Sequence, residues 1–190
     1  ILHVLPREFM VDDQDGVREP LGMSGNRLEV NVHVITGAVT SAQNIIKSVN
    51  RAGLDVVDII LQPLASSEAV LSAEERELGV VMVDLGGGTT DLAIFLDGSI
   101  RHTAVLPIGG QNLTKDLAIG LLTSQTDAEK IKVQHGIART ELVHGHQMVE
   151  VPSVGDRPPR QFTRRDIAEI LEPRVEEMFD LVKREIARAG

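Results

Sequence analysis

Apolar and polar positions fall into two periods along this chain. Leu28, Val30, Val32 and Val34 alternate with Glu29, Asn31 and His33, the period-two pattern of a half-buried strand. Ile1–Val11 reads as an earlier strand interrupted by Pro6, and Asp12-Asp13-Gln14-Asp15-Gly16 as a polar turn. The period then changes. Ala42, Ile45, Ile46 and Val49 share one helical face behind a candidate N-cap at Ser41, and Gly53 closes that helix as a C′ glycine. Val56–Leu61 reads as a buried strand stopped by Pro63. A short helix follows over Leu64–Leu71, and Ser72-Ala73-Glu74-Glu75 is a capping box that opens another turn. Two apolar runs, Val80-Val81-Met82-Val83 and Leu92-Ala93-Ile94-Phe95-Leu96, predict paired strands, and an Asp97-Gly98 turn joins them to a third strand over Ile100–Leu106.

The later chain is helical with one hairpin. Leu113, Leu117, Leu121 and Leu122 mark a helix opened by Gly109-Gly110, and Thr126-Asp127-Ala128-Glu129 opens another that runs to His135. Met148–Val154 and Pro158–Phe162 read as a hairpin turning at Gly155-Asp156. Thr163 with Asp166 signals a last helix, which Pro173 should kink or restart; Val175, Met178, Phe179, Val182 and Ile186 form a core-facing stripe beyond it. Helices alternating with strands predict an α/β fold.

The chemistry concentrates at Asp84-Leu85-Gly86-Gly87-Gly88-Thr89-Thr90-Asp91, between the two apolar runs. Glycines can take torsions closed to other residues and place no Cβ in a ligand's way, so their N–H groups can converge on a phosphate. Thr89 and Thr90 add hydroxyl donors. Asp84 or Asp91 could hold the water shell of a Mg²⁺ ion or orient an attacking water. The plain alternative is a glycine-rich turn between two capping aspartates. No G-x-x-x-x-G-K-[ST] and no G-x-G-x-x-G occurs, which excludes the P-loop and the Rossmann fingerprint. Gly109-Gly110, at a strand end that opens a helix, is a second anion candidate or an ordinary strand-to-helix turn. Glu129 and Lys132 share a helical face, where a carboxylate beside an ammonium can bond a ribose hydroxyl and flank a base; by spacing alone Glu129 also completes a capping box with Thr126.

Composition narrows the classes. The 190 residues carry a net charge of −9, and the only aromatics are four Phe. Both argue against nucleic acid as a partner. There is no Cys, which excludes disulfides, zinc–thiolate sites and a Cys nucleophile. No apolar run is long enough to span a membrane, and no signal peptide is present. The chain opens at Ile1, already in a strand pattern, and closes as a helix ends, so an internal piece of a longer protein is expected. His3 and His33 decorate strand faces, and His144-Gly145-His146 reads as a solvated loop rather than a metal site. Arg157, Arg160, Arg164 and Arg165 cluster around the hairpin's return strand, as a solvated face or as a docking patch for an acidic peptide.

The D-x-G-G-G-T-x-D turn between apolar strands resembles the second phosphate loop of the actin, Hsp70 and sugar-kinase ATPase superfamily. With ILHVLPREFMVD, LASSEAVLSAEERELG, MVDLGGGTTDLAIF, TDAEKIKVQHG and VEVPSVGDRPPRQFTRRDIAEILEPR in this order, the whole chain resembles the FtsA family of actin-like bacterial cell-division proteins, especially its proteobacterial forms. The resemblance implies an actin-like (ribonuclease H-like) ATPase fold. Residues 1–35 would be the end of interaction subdomain 1C, 36–78 part of 1A, 79–123 subdomain 2A with the phosphate-2 loop, and 124–190 subdomain 2B with its last helix returning toward 2A. It implies ATP held by Gly86, Gly87, Gly88, Thr89, Gly109 and Gly110, with Glu129 and Lys132 at the ribose and base. Asp84 would serve as the catalytic carboxylate, near Mg²⁺ through water, in an ATPase that is at most slow. The first phosphate loop, the C-terminal adenosine-binding glycines and the amphipathic membrane helix of the family are not in the sequence, so these 190 residues by themselves are expected to bind ATP weakly or not at all. The implied partners are the tail of FtsZ, near Arg157, Arg160, Arg164 and Arg165, further copies in a filament, and later division proteins through 1C. The implied location is the inner face of the cell membrane. A small-molecule kinase of the same superfamily and an actin-like pilus-assembly scaffold are the alternatives, and the VPSVGDRPPR hairpin has no obvious place in the kinase.

Overall fold

A computed structural model describes residues 1–155 and 157–190; the Asp156 half of the predicted hairpin turn lies outside the described residues. The chain divides into two compact units. One comprises Ile1–Asp84 with Asp91–Ala104 and Ala189, the other Leu85–Thr90 with Val105–Arg188 and Gly190.

The first unit begins with a three-stranded antiparallel sheet in the order β2-β1-β3, formed by β1 (His3–Val11), β2 (Gln14–Val17) and β3 (Leu28–Ile35). The polar turn is shorter than its composition predicts. Asp12, at φ 51°, makes the left-handed bend, and the chain re-enters the sheet at Gln14. Pro6 is accommodated beside a bulge between Pro6 and Glu8, where a missing N–H costs least. β3 keeps its predicted span but not its predicted burial. Leu28, Val30, Val32 and Val34 are all exposed.

Helix α1 (Val39–Arg51) starts at Ala38 without a side-chain cap, so Ser41 lies inside it. Its end follows expectation. Gly53 has φ +81° and donates to Asn50 O, while Leu54 donates to Val49 O, the paired bonds of a Schellman motif. The predicted strand over Val56–Leu61 does not form. The run is apolar enough to demand burial, but a strand needs a ladder partner as well, and its Leu61 N–H instead donates to His3 Nε2 at 3.1 Å. Pro63 opens rather than blocks helix α2 (Gln62–Val70), because the first turn needs no N–H there. Helix α3 (Ala73–Leu78) carries the predicted capping box, with Ser72 accepting from Glu75 N and Glu75 accepting from Ser72 N.

A second sheet has the order β4-β5-β6, from β4 (Val80–Leu85), β5 (Thr90–Leu96) and β6 (Ser99–Leu106). Asp97 (φ 52°) and Gly98 (φ 72°) form the predicted two-residue turn, with the paired positive φ of type I′. β5 is buried along most of its length. Met82, Ala93, Phe95 and Ile100 make the first unit's core, joined by Leu5, Leu64, Leu71 and Val80. The two sheets are tied by Arg7 Nε donating to Ile100 O, by Ser99 Oγ donating to Arg7 O, and by a His33–Thr103 side-chain bond of 3.1 Å.

In the second unit, α4 (Gly110–Gly120), α5 (Gln125–His135), the hairpin of β7 (Met148–Val151) and β8 (Arg160–Thr163), and α6 (Arg164–Ala189) enclose one core. Leu117, Leu121, Ala128, Val151 and Ile167 are fully buried in it. His144–His146 lie in a loop. Thr163 and Asp166 cap α6 reciprocally. Pro173 neither ends nor restarts this helix, which runs through 26 residues. The apolar stripe beyond it is only partly core: Met178 and Val182 are buried, but Phe179 and Ile186 are exposed.

Candidate functional site

The glycine turn Gly86–Thr89 is closed by Gly86 N–H donating to Thr89 O at 2.9 Å. None of Gly86, Gly87 and Gly88 has a positive φ, so the torsional freedom expected of them is not used. Glycine matters here for space. A Cβ on Gly87 or Gly88 would meet nothing nearer than the Gln111 amide at 3.8 and 4.0 Å, so the outer side of the turn is open to a ligand. The crowded position is Gly109. A Cβ there would sit 2.6 Å from Gly86 O and 2.7 Å from Gly87 O, against backbone that cannot swing aside.

That close approach lets α4 hold the turn. Gly110 N–H donates to Gly86 O at 2.9 Å and Gln111 N–H to Gly87 O at 2.8 Å, while Asn112 Oδ1 accepts from Gly109 N at 3.0 Å. The first amides of α4 are therefore spent on the turn's carbonyls. The amides that make no such bond among the described residues are those of Gly87 and Gly88. Thr90 is a second fastening. It is fully buried and donates to Ile108 O at 2.8 Å, so its hydroxyl locks the strand end rather than facing a ligand. Asp91 is likewise buried.

Facing the turn, α5 starts two residues earlier than predicted, because Ser124 rather than Thr126 is its cap. Ser124 Oγ accepts from Asp127 N at 3.1 Å. Glu129 is thereby released from any capping role. Its Oε2 accepts from Lys132 Nζ at 2.8 Å and from the Thr114 hydroxyl, and these two bonds hold its carboxyl below the usual carboxylate range, Lys132 contributing most. Lys132 Nζ also donates to Gly110 O at 3.0 Å and to Thr114 Oγ1 at 2.9 Å. A depression of about 650 Å³ lies between these groups, lined by Gly87, Gly110, Gln111, Thr114 and Lys115 on one side and by Gln125, Thr126, Glu129 and Lys132 on the other. Anion donors at one end and a carboxylate–ammonium pair at the other suit a polar ligand with a phosphate and neighbouring hydroxyls.

Asp84 belongs to the first unit, and its partners there come from α2. Its Oδ2 accepts from Gln62 Nε2 at 3.1 Å and from Ser66 Oγ at 2.9 Å. Its Oδ1 makes no bond among the described residues. Gln62 and Ser66 are invisible to motif reading because they lie about twenty residues upstream, and the i, i+4 spacing that aims both at one carboxylate shows only once α2 is known to be a helix.

The four arginines separate by task. Arg160 caps the C-terminal end of α4, donating to Leu121 O and, at 3.3 Å, to Leu122 O, and stacks over Phe162 at 5.3 Å. Arg164 donates to His135 O at 3.1 Å, at the end of α5. Arg165 pairs with Glu169 at 3.1 Å. Arg157 borders an apolar groove of about 580 Å³ with Ala118, Leu122, Val154 and Pro158.

Residues 81–189 match the family model for "Cell division protein FtsA". The chain belongs to the FtsA family. Residues 1–36 match a second model, the SHS2 domain inserted in FtsA. The cell division protein FtsA of Pseudomonas aeruginosa is 54% identical over the whole of this chain, which covers 46% of that relative. The chain thus spans about half the length of the curated relatives it matches. Among solved structures, MreB5 of Spiroplasma citri bound to ADP superposes with a TM-score of 0.59 at 21% identity, over 80% of this chain and 49% of that one. A chain of the PilM–PilN type IV pilus biogenesis complex gives 0.64 at 18% identity, over 95% of this chain and 44% of its own length. The fold is that of the actin-like ATPases, as the glycine turn implied.

Proposed function

We propose that this chain is the part of an ATP-binding, actin-like cell-division protein that carries one wall of its nucleotide site. The observation that supports this most is the depression joining the Gly86–Thr89 turn to Glu129 and Lys132. The open amides of Gly87 and Gly88 would hold phosphate oxygens, with Thr89 beside them. Gly109 and Gly110 let α4 fix the turn and bring the positive end of its dipole behind it. Lys115 adds charge at the rim, and Glu129 and Lys132 face the ribose and base. ATP bound here supplies a transferable γ-phosphoryl and its Mg²⁺ supplies charge neutralisation. Asp84, with one oxygen fixed by Gln62 and Ser66, would have the other available for a water near Mg²⁺. The hydrogen-bond partners of Asp84 among the described residues, Gln62 and Ser66, are not bases, which fits slow hydrolysis.

Membership of the FtsA family supports the rest of this reading. Residues 1–35 are the end of 1C and recruit later division proteins, 36–78 belong to 1A, 79–123 to 2A and 124–190 to 2B. The full-length protein forms filaments at the inner face of the membrane, reaches that membrane through a helix outside this chain, and ties the FtsZ tail near Arg157, Arg160, Arg164 and Arg165.

Binding of fluorescent ATP with Mg²⁺ by the full-length protein tests the site. Gly87→Val should abolish binding, because its side chain occupies the open side of the turn, and Asp84→Ala should weaken it, with the fold retained in both. Unchanged affinity in both variants would reduce the turn to a structural hairpin. The same preparations, titrated with FtsZ-tail peptide, test the partner. Arg157→Glu with Arg165→Glu, which spares the two helix-capping arginines, should weaken that complex; unaltered affinity removes the arginines from the contact.

A further inference from the structure

Thr114 sits at the floor of the depression, 7% exposed, and no motif points to it. It lies one turn after Gly110 on α4, and its hydroxyl meets three groups at once. It accepts from Lys132 Nζ at 2.9 Å, and its single proton goes to Gly110 O at 3.1 Å or to the Glu129 carboxylate. Lys132 has three N–H donors, and Gly110 O, Thr114 Oγ1 and Glu129 Oε2 take all three. Both partners of Glu129 fall on Oε2, so its orientation is fixed and Oε1 is left for a ligand. The Glu129 side chain is otherwise half exposed, at 50%. Without the hydroxyl it would be held by a single lysine and would have to be ordered each time a ligand bound.

We propose that Thr114 is a positioning residue of this site: it holds Glu129 and Lys132 in the one arrangement that offers a carboxylate oxygen to the ribose hydroxyls, and so sets the preference for ribonucleotides over 2′-deoxyribonucleotides. The proposal rests on the depression being a nucleotide site.

Calorimetric titration of the full-length protein with ATP and with 2′-deoxy-ATP, both with Mg²⁺, tests it in wild type, Thr114→Val and Thr114→Ser. Wild type should prefer ATP. Thr114→Val, nearly isosteric, should weaken ATP by about tenfold, the value of one hydrogen bond to a charged group, and bring the two nucleotides to about equal affinity. Thr114→Ser should restore both affinity and preference. A purely structural role would lower the melting temperature and leave the ratio of the two affinities alone. Should the valine variant not fold, Thr114→Ala is read in the same way. A wild-type ratio in the folded variant overturns the proposal while leaving the nucleotide site standing, as does a wild type that binds both nucleotides equally. A wild type that binds neither overturns the nucleotide reading and this proposal together.

Discussion

The opening sheet of the first unit and the core of the second answer the same kind of sequence signal differently. In β3, Val30, Val32 and Val34 alternate as strictly as a half-buried strand should, yet each is at least 40% exposed. In the second unit, Leu117 and Leu121 recur at helical spacing and are fully buried, packed with Ile167 of α6. The period of an apolar pattern follows from backbone geometry and was met in both places. Burial needs a second surface, and the pattern says nothing about where that surface comes from. Val56–Leu61 is the extreme case: an apolar run with no ladder and only partial cover, in which Val57 is 99% exposed.

Truncation should separate the two regions most sharply. Leu117→Ala removes a side chain packed among Leu121, Ile131 and Ile167 and should cost about 3–4 kcal/mol, from lost transfer energy and the cavity left behind. Val32→Ala in β3 should cost under about 0.5 kcal/mol, as exposed positions do. Urea unfolding of the chain, followed separately in each unit, measures both. Equal losses would mean that the β3 face is covered in solution and that the contrast is false.

A smaller effect tests whether the turn is held by close approach. Gly109→Ala places a methyl against the Gly86 and Gly87 carbonyls and should destabilise the second unit by roughly 1–3 kcal/mol, the usual cost of overpacking. Gly87→Ala, into open space, should cost much less. Thermal melts of the two variants decide, and similar shifts would return the argument to backbone torsions.

The same contrast explains what could be read from the residues. Caps and turns were largely legible, because Ser72–Glu75, Thr163–Asp166, Asp97-Gly98 and Gly53 each act on their own neighbours. The family and fold were legible because the glycine turn and the hairpin segment are contiguous motifs. Competition between overlapping signals was not. Ser124 outcompeted Thr126 as a cap, and that two-residue shift is what frees Glu129 for Lys132 and Thr114. Pro173 does not restart α6, because a proline inside a helix removes one hydrogen bond but need not end the helix. Thr114, Gln62 and Ser66 act on residues 15 to 22 positions away, and no spacing rule links them to their partners.

The smallest expected effect concerns pH and belongs to the first unit. His33, on β3, bonds Thr103 on β6, and its ring is pushed below the usual histidine range by burial first, then by the positive charge of Arg7 on β1 and of His102 on β6. The folded state therefore binds a proton at His33 less readily than the unfolded chain does. The stability this contributes is fully present above the ordinary histidine pKa of about 6.5 and is lost as pH falls below it, through the depressed folded value. Protonation would put a cation beside Arg7, at the seam where the opening sheet meets β6. Urea midpoints for the first unit should therefore fall between neutral and mildly acidic pH more steeply in wild type than in His33→Gln, which keeps a hydrogen-bonding side chain but does not titrate there. The second unit contains neither His33 nor this seam, so its midpoint should show no such difference between the two proteins. Parallel pH curves for the first unit in wild type and variant would show that the seam is insensitive to the charge of His33.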